Sequence, residues 1–173
     1  MRVLVRELFK TIILSLLVFM AMHITVQNYR VQGPSMQPTL VQGEYVIVNK
    51  LVYAFQPPKL GEVVVFQFPE DRSRDLVKRV IGVPGDTISM KNGLVILNNA
   101  VLEEPYVTRG DSTTMPPITL GVGEFFVLGD NRQSSNDSRN WGAVTFEDLI
   151  GRAWVKFWPV DKLNILSTGL FWD

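Results

Sequence analysis

The segment GPSMQPTL, residues 33–40, follows an apolar run and precedes the first strand-like stretch of the chain. Its two prolines restrict the backbone and its glycine permits a turn, so the segment predicts a rigid, irregular path. Ser35 lies within this path, and a rigidly presented hydroxyl is what nucleophilic attack requires. We therefore take Ser35 as the candidate nucleophile. The alternative is an ordinary serine in a turn.

Few groups in the chain can activate this hydroxyl, because a serine attacks only when a neighbouring base removes its proton. There is no cysteine, and the single histidine, His23, lies inside the apolar run. This inventory excludes a Ser-His-Asp triad, cysteine-protease chemistry and a Cys/His metal site. Two options remain: a lysine base, or a carboxylate pair acting on water, drawn from Asp86, Asp130 and Asp137.

Lys78 is the lysine with the most apolar surroundings, in the stretch LVKRVIGVPGD of residues 76–86. Burial disfavours an ammonium and so lowers its pKa. If the pKa of Lys78 lies about three below its usual value of about 10.4, the neutral amine is dominant at about pH 8. Burying the amine then costs roughly 4 kcal/mol of folding free energy. Arg79 cannot take this role, since a guanidinium stays charged. The alternative for Lys78 is a strand lysine whose amine reaches solvent.

Four segments follow one another in a recognisable order: GPSMQPTL (33–40), GEYVIV (43–48), KRVIGVPGD (78–86), and GDNR (129–132) continuing to Ser135, Asp137, Ser138 and Arg139. Together they resemble the boxes of bacterial type I signal peptidases, and the match extends to about Pro159. The resemblance implies a largely antiparallel β fold in which Ser35 and Lys78 meet at one groove. It also implies a Ser/Lys endopeptidase that removes signal peptides from secretory preproteins.

The resemblance also assigns roles around the reaction. Ser35 attacks the scissile carbonyl, and Lys78 acts first as base and then as acid. The Ser35 backbone N–H is available as an oxyanion donor. Some family members carry a serine two residues before the nucleophile as a second donor. This chain has Gly33 there, so a backbone amide or water must serve.

Further residues are assigned to the support of the site. By resemblance, Ser135 hydrogen-bonds and orients the Lys78 amine. Asp137 and Arg139 form an ion pair that holds their loop, and Asp130 and Arg132 belong to the same box. The alternative for this polar stretch is a solvated turn.

Small apolar pockets are expected beside the nucleophile. Their candidate walls are Val31, Met36, Leu40 and Val46, which would admit alanine-sized side chains and exclude larger ones. Such pockets fit the Ala-x-Ala pattern at which secretory precursors are cleaved. The same four residues also suit an ordinary core.

The N-terminal part predicts a membrane anchor. Residues 11–26 carry no fixed charge and would span roughly 24 Å as a helix, which flanking residues extend toward about 30 Å. Arg2, Arg6 and Lys10 precede them and favour a cytoplasmic N-terminus. We therefore expect residues 1–10 inside, a single span over 11–27 in the plasma membrane, and the remainder outside. A cleavable signal peptide and a buried soluble helix are the alternatives.

After the anchor, β-branched and aromatic runs separated by Gly, Pro and Asn predict a mainly β fold. We expect an antiparallel catalytic β-domain formed by residues 28–84 and 130–173, with a β-ribbon subdomain inserted over 85–129. Asn92-Gly93 and Asn98-Asn99 predict hairpin turns, and the polar stretch 108–117 predicts a loop.

Composition limits the possible partners. With 17 Lys+Arg against 17 Asp+Glu the chain has no net charge and no basic stripe for a nucleic acid. We expect no metal and no cofactor, with preproteins and the lipid bilayer as partners. Two rival functions remain open: an inactive anchored β-module that binds exported peptides, and a self-cleaving Ser/Lys protease.

Overall fold

The structure, a computed structural model, describes residues 2–166, without the side chains of residues 2–4 and 21–24. The helices are α1 (Arg2–Thr25), α2 (Val52–Phe55) and α3 (Ser138–Trp141), with short 3₁₀ turns at Arg132–Ser134, Phe146–Asp148 and Val160–Lys162. The described strands are β1 (Val26–Arg30), β2 (Tyr45–Asn49), β3 (Val63–Phe68), β4 (Asp71–Gly82), β5 (Thr87–Lys91), β6 (Leu94–Leu97), β7 (Ala100–Val101), β8 (Met115–Thr119), β9 (Glu124–Leu128), β10 (Val144–Thr145), β11 (Leu149–Trp158) and β12 (Asn164–Ile165).

The larger sheet has the strand order β1-β2-β11-β3-β4-β9-β10, with β12 also paired to β11. Every pairing between the described strands is antiparallel. β3 carries the run VVVFQF and is buried on both faces, which is why it has no polar alternation. The prediction of a mainly β, antiparallel fold is confirmed.

A smaller sheet in the order β7-β6-β5-β8 lies within the predicted insert. Asn92 and Gly93 have positive φ between β5 and β6, and Asn98 and Asn99 do so between β6 and β7, so both predicted turns are confirmed. The strands of this sheet end at Thr119. β9, within the predicted segment 85–129, instead pairs with β4 in the larger sheet, because the insert returns there to the main fold.

The N-terminal helix differs in extent from the prediction. It occupies Arg2–Thr25 rather than 11–27, because Val26 and Gln27 pair with Asn49 and Val48 at the start of the larger sheet. In the part of the chain that the structure describes, no helix combines the length and apolar character needed to cross a membrane. The remainder of the predicted second catalytic segment, residues 167–173, lies outside the described residues.

One of the buried clusters supports the segment at residues 33–40. It consists of Val31, Met36, Leu40, Val46, Val63 and Ala153, all at most 4% exposed. Leu40 N donates to Met36 O at 2.8 Å, so the segment closes a turn of its own above this cluster. The apolar side chains thus anchor the loop, and Ser35 between them is held at the surface.

Candidate active site

Ser35 is half-buried, and its backbone is held by the loop that follows β9. Asn131 N donates to Ser35 O at 3.0 Å, and Asn131 Nδ2 donates to Pro34 O at 3.3 Å. The loop that follows β9 therefore fixes the main chain of the candidate nucleophile. These two bonds join residues almost a hundred positions apart in sequence.

Lys78 Nζ lies 2.8 Å from Ser35 Oγ, within hydrogen-bonding distance. Lys78 is in β4, where neighbouring strands cover it, and only 4% of it is exposed. Burial lowers the pKa of its amine from 10.5 to about 8, although the negative charges of Asp137 and Asp130 act in the opposite direction. The structure thus brings the two residues together and makes the amine easy to deprotonate.

Arg79, the next residue of β4, forms a buried ion pair with Asp130. Its Nε and Nη2 donate to the two carboxylate oxygens at 2.9 and 2.7 Å, and Nη1 donates to Gly61 O at 2.8 Å. Thr39 Oγ1 donates to Asp130 Oδ2 at 2.5 Å and accepts from Arg79 Nη2 at 3.2 Å. The network therefore connects the Ser35 loop, the Lys78 strand and the loop after β9.

Asp137 and Arg139 also form an ion pair, with Arg139 Nε and Nη2 each donating to Asp137 at 2.7 Å. Asp137 is fully buried and accepts a further bond from Gly129 N at 3.1 Å. Arg139 Nη1 donates to Asp111 at 2.5 Å, and these carboxylates raise its pKa against the opposing effect of burial. This pair fixes the loop that carries Asn131.

Arg132 completes the set of buried arginines around the site. Its Nη1 and Nη2 donate to the carboxylate of Glu104 at 2.9 and 2.5 Å, and its Nε donates to Gly129 O at 3.1 Å. Glu104 belongs to the segment between the small sheet's strands β7 and β8. Arg132 therefore ties the inserted sheet to the loop beside Ser35.

Ser135 lies beside this site but does not make the predicted hydrogen bond to Lys78. Its Oγ is buried and has no hydrogen-bonding partner among the described residues. A Cβ on Gly129 would lie 2.3 Å from Ser135 Oγ and 2.5 Å from Ser35 O. The absence of a side chain at Gly129 therefore allows the Ser135 hydroxyl and the Ser35 backbone to approach closely.

A groove of about 420 Å³ opens at Ser35 and Lys78. Of the four candidate pocket walls, Val31 and Val46 line it, whereas Met36 and Leu40 do not line it and pack in the cluster below. Gly33 lines an adjoining cavity of about 400 Å³ and has a φ of +79°, a conformation that favours glycine. Within residues 2–166, no cluster of His, Cys, Asp and Glu is arranged to hold a metal ion.

A model of the family described as "Signal peptidase, peptidase S26" matches residues 5–158. The chain belongs to this signal peptidase family. The signal peptidase I of Leptolyngbya laminosa is 38% identical over 166 residues, covering 91% of this chain and 82% of the relative. That of Bacillus caldolyticus is 39% identical over 151 residues, covering 76% and 79% respectively.

A solved structure is also similar. The crystal structure of a signal peptidase I from Enterococcus faecalis matches with a TM-score of 0.50 and 27% identity. The match covers 56% of the present chain and 97% of the solved chain. The two chains therefore share a common structural core, and more of this chain than of the solved one lies outside it.

Sequence reasoning missed several residues that hold the signal peptidase site together. The sequence argument excludes Arg79 as a base but does not predict its structural role. It predicts no role for Thr39, Glu104 or Asp111. A signal for Arg79 was present, since an arginine inside an apolar strand needs a buried carboxylate partner. Which carboxylate it pairs with depends on the tertiary fold.

We predict that Asp130→Asn lowers the free energy of unfolding by about 3–5 kcal/mol, because the buried Arg79 guanidinium would lose the carboxylate that accepts bonds from its Nε and Nη2. Urea unfolding of the purified protein measures this. Asp161→Asn is the matched control, because Asp161 is exposed and should change stability by less than about 0.5 kcal/mol. Equal effects of the two substitutions would contradict the prediction.

Proposed function

We propose that this chain is a Ser/Lys endopeptidase that removes signal peptides from secretory preproteins, cleaving after small residues at Ala-x-Ala sites. The observation that carries the proposal is the 2.8 Å contact between Lys78 Nζ and Ser35 Oγ at the base of an open groove. A nucleophile and a desolvated amine in contact are the parts that amide hydrolysis by this route requires.

The reaction begins with proton transfer from the Ser35 hydroxyl to the neutral Lys78 amine as Oγ attacks the scissile carbonyl carbon. The resulting tetrahedral intermediate collapses when the C–N bond breaks, and protonated Lys78 gives its proton to the departing amine. An acyl-enzyme on Ser35 remains. Lys78 then takes a proton from water, whose oxygen attacks the ester, and returns that proton to Ser35 Oγ as the signal peptide leaves.

The lowered pKa of Lys78 makes this base available near neutral pH. At a pKa of about 8, a substantial fraction of the amine is neutral in that range. The unfolded chain holds this proton up to about pH 10.5, so burial of the amine costs about 3 kcal/mol below pH 8. The cost disappears as the pH rises from about 8 to 10.5, because the amine is then neutral in both states.

The developing oxyanion needs hydrogen-bond donors at the Ser35 loop. We assign the first to the Ser35 backbone N–H. Gly33 has no side chain, so a main-chain amide or a water supplies the second. The positive φ of Gly33 supports a role in the path of this loop rather than in direct donation.

We propose that Ser135 accepts a hydrogen bond from Lys78 when the Lys78 amine is protonated. An ammonium has three N–H donors, and Ser35 accounts for one of them. The Ser135 Oγ is buried and has no hydrogen-bonding partner within residues 2–166, so it is suited to accept a second bond once Lys78 carries its proton. Asp130, Arg132, Asp137 and Arg139 support the site through their ion pairs.

The substrate is proposed to lie extended in the groove. The groove runs between β1 and the first half of β4, and its floor includes Val31, Val46 and Val65. These apolar side chains are proposed to form shallow pockets for small substrate side chains. An extended segment can also bond to strand edges through its main chain.

The carboxylate-pair mechanism is not favoured. Asp130 and Asp137 are each engaged by an arginine, and Asp86 Oδ2 accepts a bond from Val83 N. Among the described residues, the side-chain hydrogen bond of Ser35 is with Lys78 and with none of these carboxylates. A carboxylate bound to a guanidinium is a poor proton acceptor, since the pair favours its charged form.

We predict that Ser35→Ala and Lys78→Met each abolish cleavage of a preprotein with an Ala-x-Ala site, because one removes the nucleophile and the other the base. Ser112→Ala and Lys91→Met are matched controls at exposed positions and should retain activity. Gel analysis of the processed precursor measures the outcome. Circular dichroism should show that the inactive variants are folded, and full activity in either Ser35→Ala or Lys78→Met would contradict the mechanism.

We predict that kcat/KM falls as the pH is lowered through about 8 and levels off above it, because the active amine is the neutral form. A pH profile of peptide cleavage measures this, with unfolding followed over the same range to exclude loss of structure. A carboxylate pair that shares a proton would instead give its best rate in acid. An acid optimum would therefore rule out the lysine base.

We also propose that α1 anchors the enzyme in the plasma membrane, with the N-terminus cytoplasmic and the groove outside. The large apolar side chains from Val5 to Met20 are 42–68% exposed and lie on all sides of the helix. Such a surface is unstable in water, so lipid is the proposed cover. Ser35 follows the end of α1 by ten residues, which would keep the site near the bilayer that holds its substrate.

We predict that the chain floats with phospholipid vesicles and that the double substitution Leu14→Lys and Leu17→Lys reduces this binding. Leu94 is a similarly exposed leucine of the small sheet, and Leu94→Lys should leave the binding unchanged.

The membrane topology can be measured by cysteine labelling, since the chain has no cysteine of its own. In intact cells an impermeant thiol reagent should label Val101→Cys, and should label Glu7→Cys only after lysis. The reverse pattern would contradict the topology.

A further inference from the structure

The groove lies between two strand edges that pair with no other described strand. β1 is at one end of the larger sheet and bonds only to β2. β4 bonds to β3 along most of its length, but β9 covers its other side only from Arg79 onward. Asp75, Leu76 and Val77 therefore present an open edge toward the groove, and all three line it.

One side-chain bond crosses between these edges. Tyr29 Oη, from β1, donates to Asp75 Oδ2, from β4, at 3.0 Å. The strands β2, β11 and β3 separate β1 from β4 in the sheet order, so no main-chain ladder sets this spacing directly. The contact joins residues 46 positions apart in sequence.

The donor in this contact is well defined. Burial, followed by the bond to Asp75 and its charge, raises the pKa of Tyr29 to about 12. The phenol therefore stays protonated over the whole neutral range and can only donate to the carboxylate. The ring of Tyr29 packs against the cluster below the Ser35 loop, which keeps the hydroxyl aimed across the groove.

We infer that the Tyr29–Asp75 hydrogen bond is a tether that holds the two edges of the groove at a fixed separation and so limits the size of the substrate side chain accepted at position −3. The inference rests on the proposed function and deepens it. With the tether in place the walls cannot move apart around a bulky side chain. Without it, β1 and the exposed part of β4 can separate.

Strand geometry identifies the substrate position. The −1 residue carries the carbonyl that Ser35 attacks, so its side chain lies at the Ser35 end of the groove. Alternate side chains of an extended segment share a face, and two residues span about 6.6 Å. The −3 side chain therefore lies on the same face as −1, further along β1 in the direction of Tyr29, while −2 faces away.

The test compares cleavage of peptides that carry Ala, Val, Leu or Phe at −3, and a second series varied at −1. In Tyr29→Phe and in Asp75→Leu, which removes the acceptor at similar side-chain volume, we expect the preference for Ala over Leu at −3, as a ratio of kcat/KM, to fall about three- to tenfold, the range that loss of one hydrogen bond allows. The double variant should show no further fall, because both substitutions remove the same bond. Preference at −1 should not change.

Tyr45→Phe and Glu70→Gln are the matched controls. Tyr45 is in the neighbouring strand β2 and Glu70 precedes β4, and neither lines the groove. An unchanged −3 ratio in both tether variants, additive effects in the double variant, or the same change in the controls would overturn the tether. Failure of the unmodified enzyme to cleave any Ala-x-Ala peptide would instead overturn the proposed function, so the two failures are distinguishable.

Discussion

The buried ion pair between Arg79 and Asp130 is the constraint on which the site depends. Both side chains are at most 2% exposed, so neither charge is solvated, and each must be neutralised by the other. Because Arg79 follows Lys78 in β4 and Asp130 precedes Asn131, the pair fixes Lys78, the proposed base, relative to the loop that holds the Ser35 backbone. Thr39 brings the Ser35 loop into the same network. A displacement of β4 or of the loop after β9 would break the buried ion pair, and a displacement of the Ser35 loop would break the two hydrogen bonds of Thr39.

This pairing also explains how Lys78 keeps a lowered pKa in a site with several carboxylates. Asp137 and Asp130 favour its charged form, and Arg139 opposes them. Since each carboxylate is bound to an arginine, its field at the amine is partly offset, and burial remains the largest influence. Arg139 therefore acts on the Lys78 amine at a distance as well as on loop structure. An isolated aspartate at either position would hold the proton on Lys78 more firmly.

Sequence reasoning could predict the elements whose cause is local. The valine-rich run of β3 and the Asn92-Gly93 turn are specified by their own residues, and Ser35 with Lys78 follows from the absence of other bases together with the family resemblance. β8 was missed, because MPPIT contains two prolines and resembles a loop; it is tolerated at the edge of the small sheet. The pairings of Arg79 and Tyr29 could not be predicted, since each depends on a partner more than forty residues away.

Rigidity and openness are thus separated within one groove. At the Ser35 end, buried ion pairs and the cluster beneath the loop hold Ser35 Oγ and Lys78 Nζ in contact, and the proposed chemistry requires this fixed distance. At the other end, β1 and the exposed half of β4 keep free main-chain edges, which an incoming extended segment can use. Complete pairing of these edges within the protein would remove the place for a substrate, and unrestrained edges would not discriminate between side chains. A single side-chain bond between Tyr29 and Asp75 meets both requirements, because it limits the separation of the strands and leaves their backbone groups available.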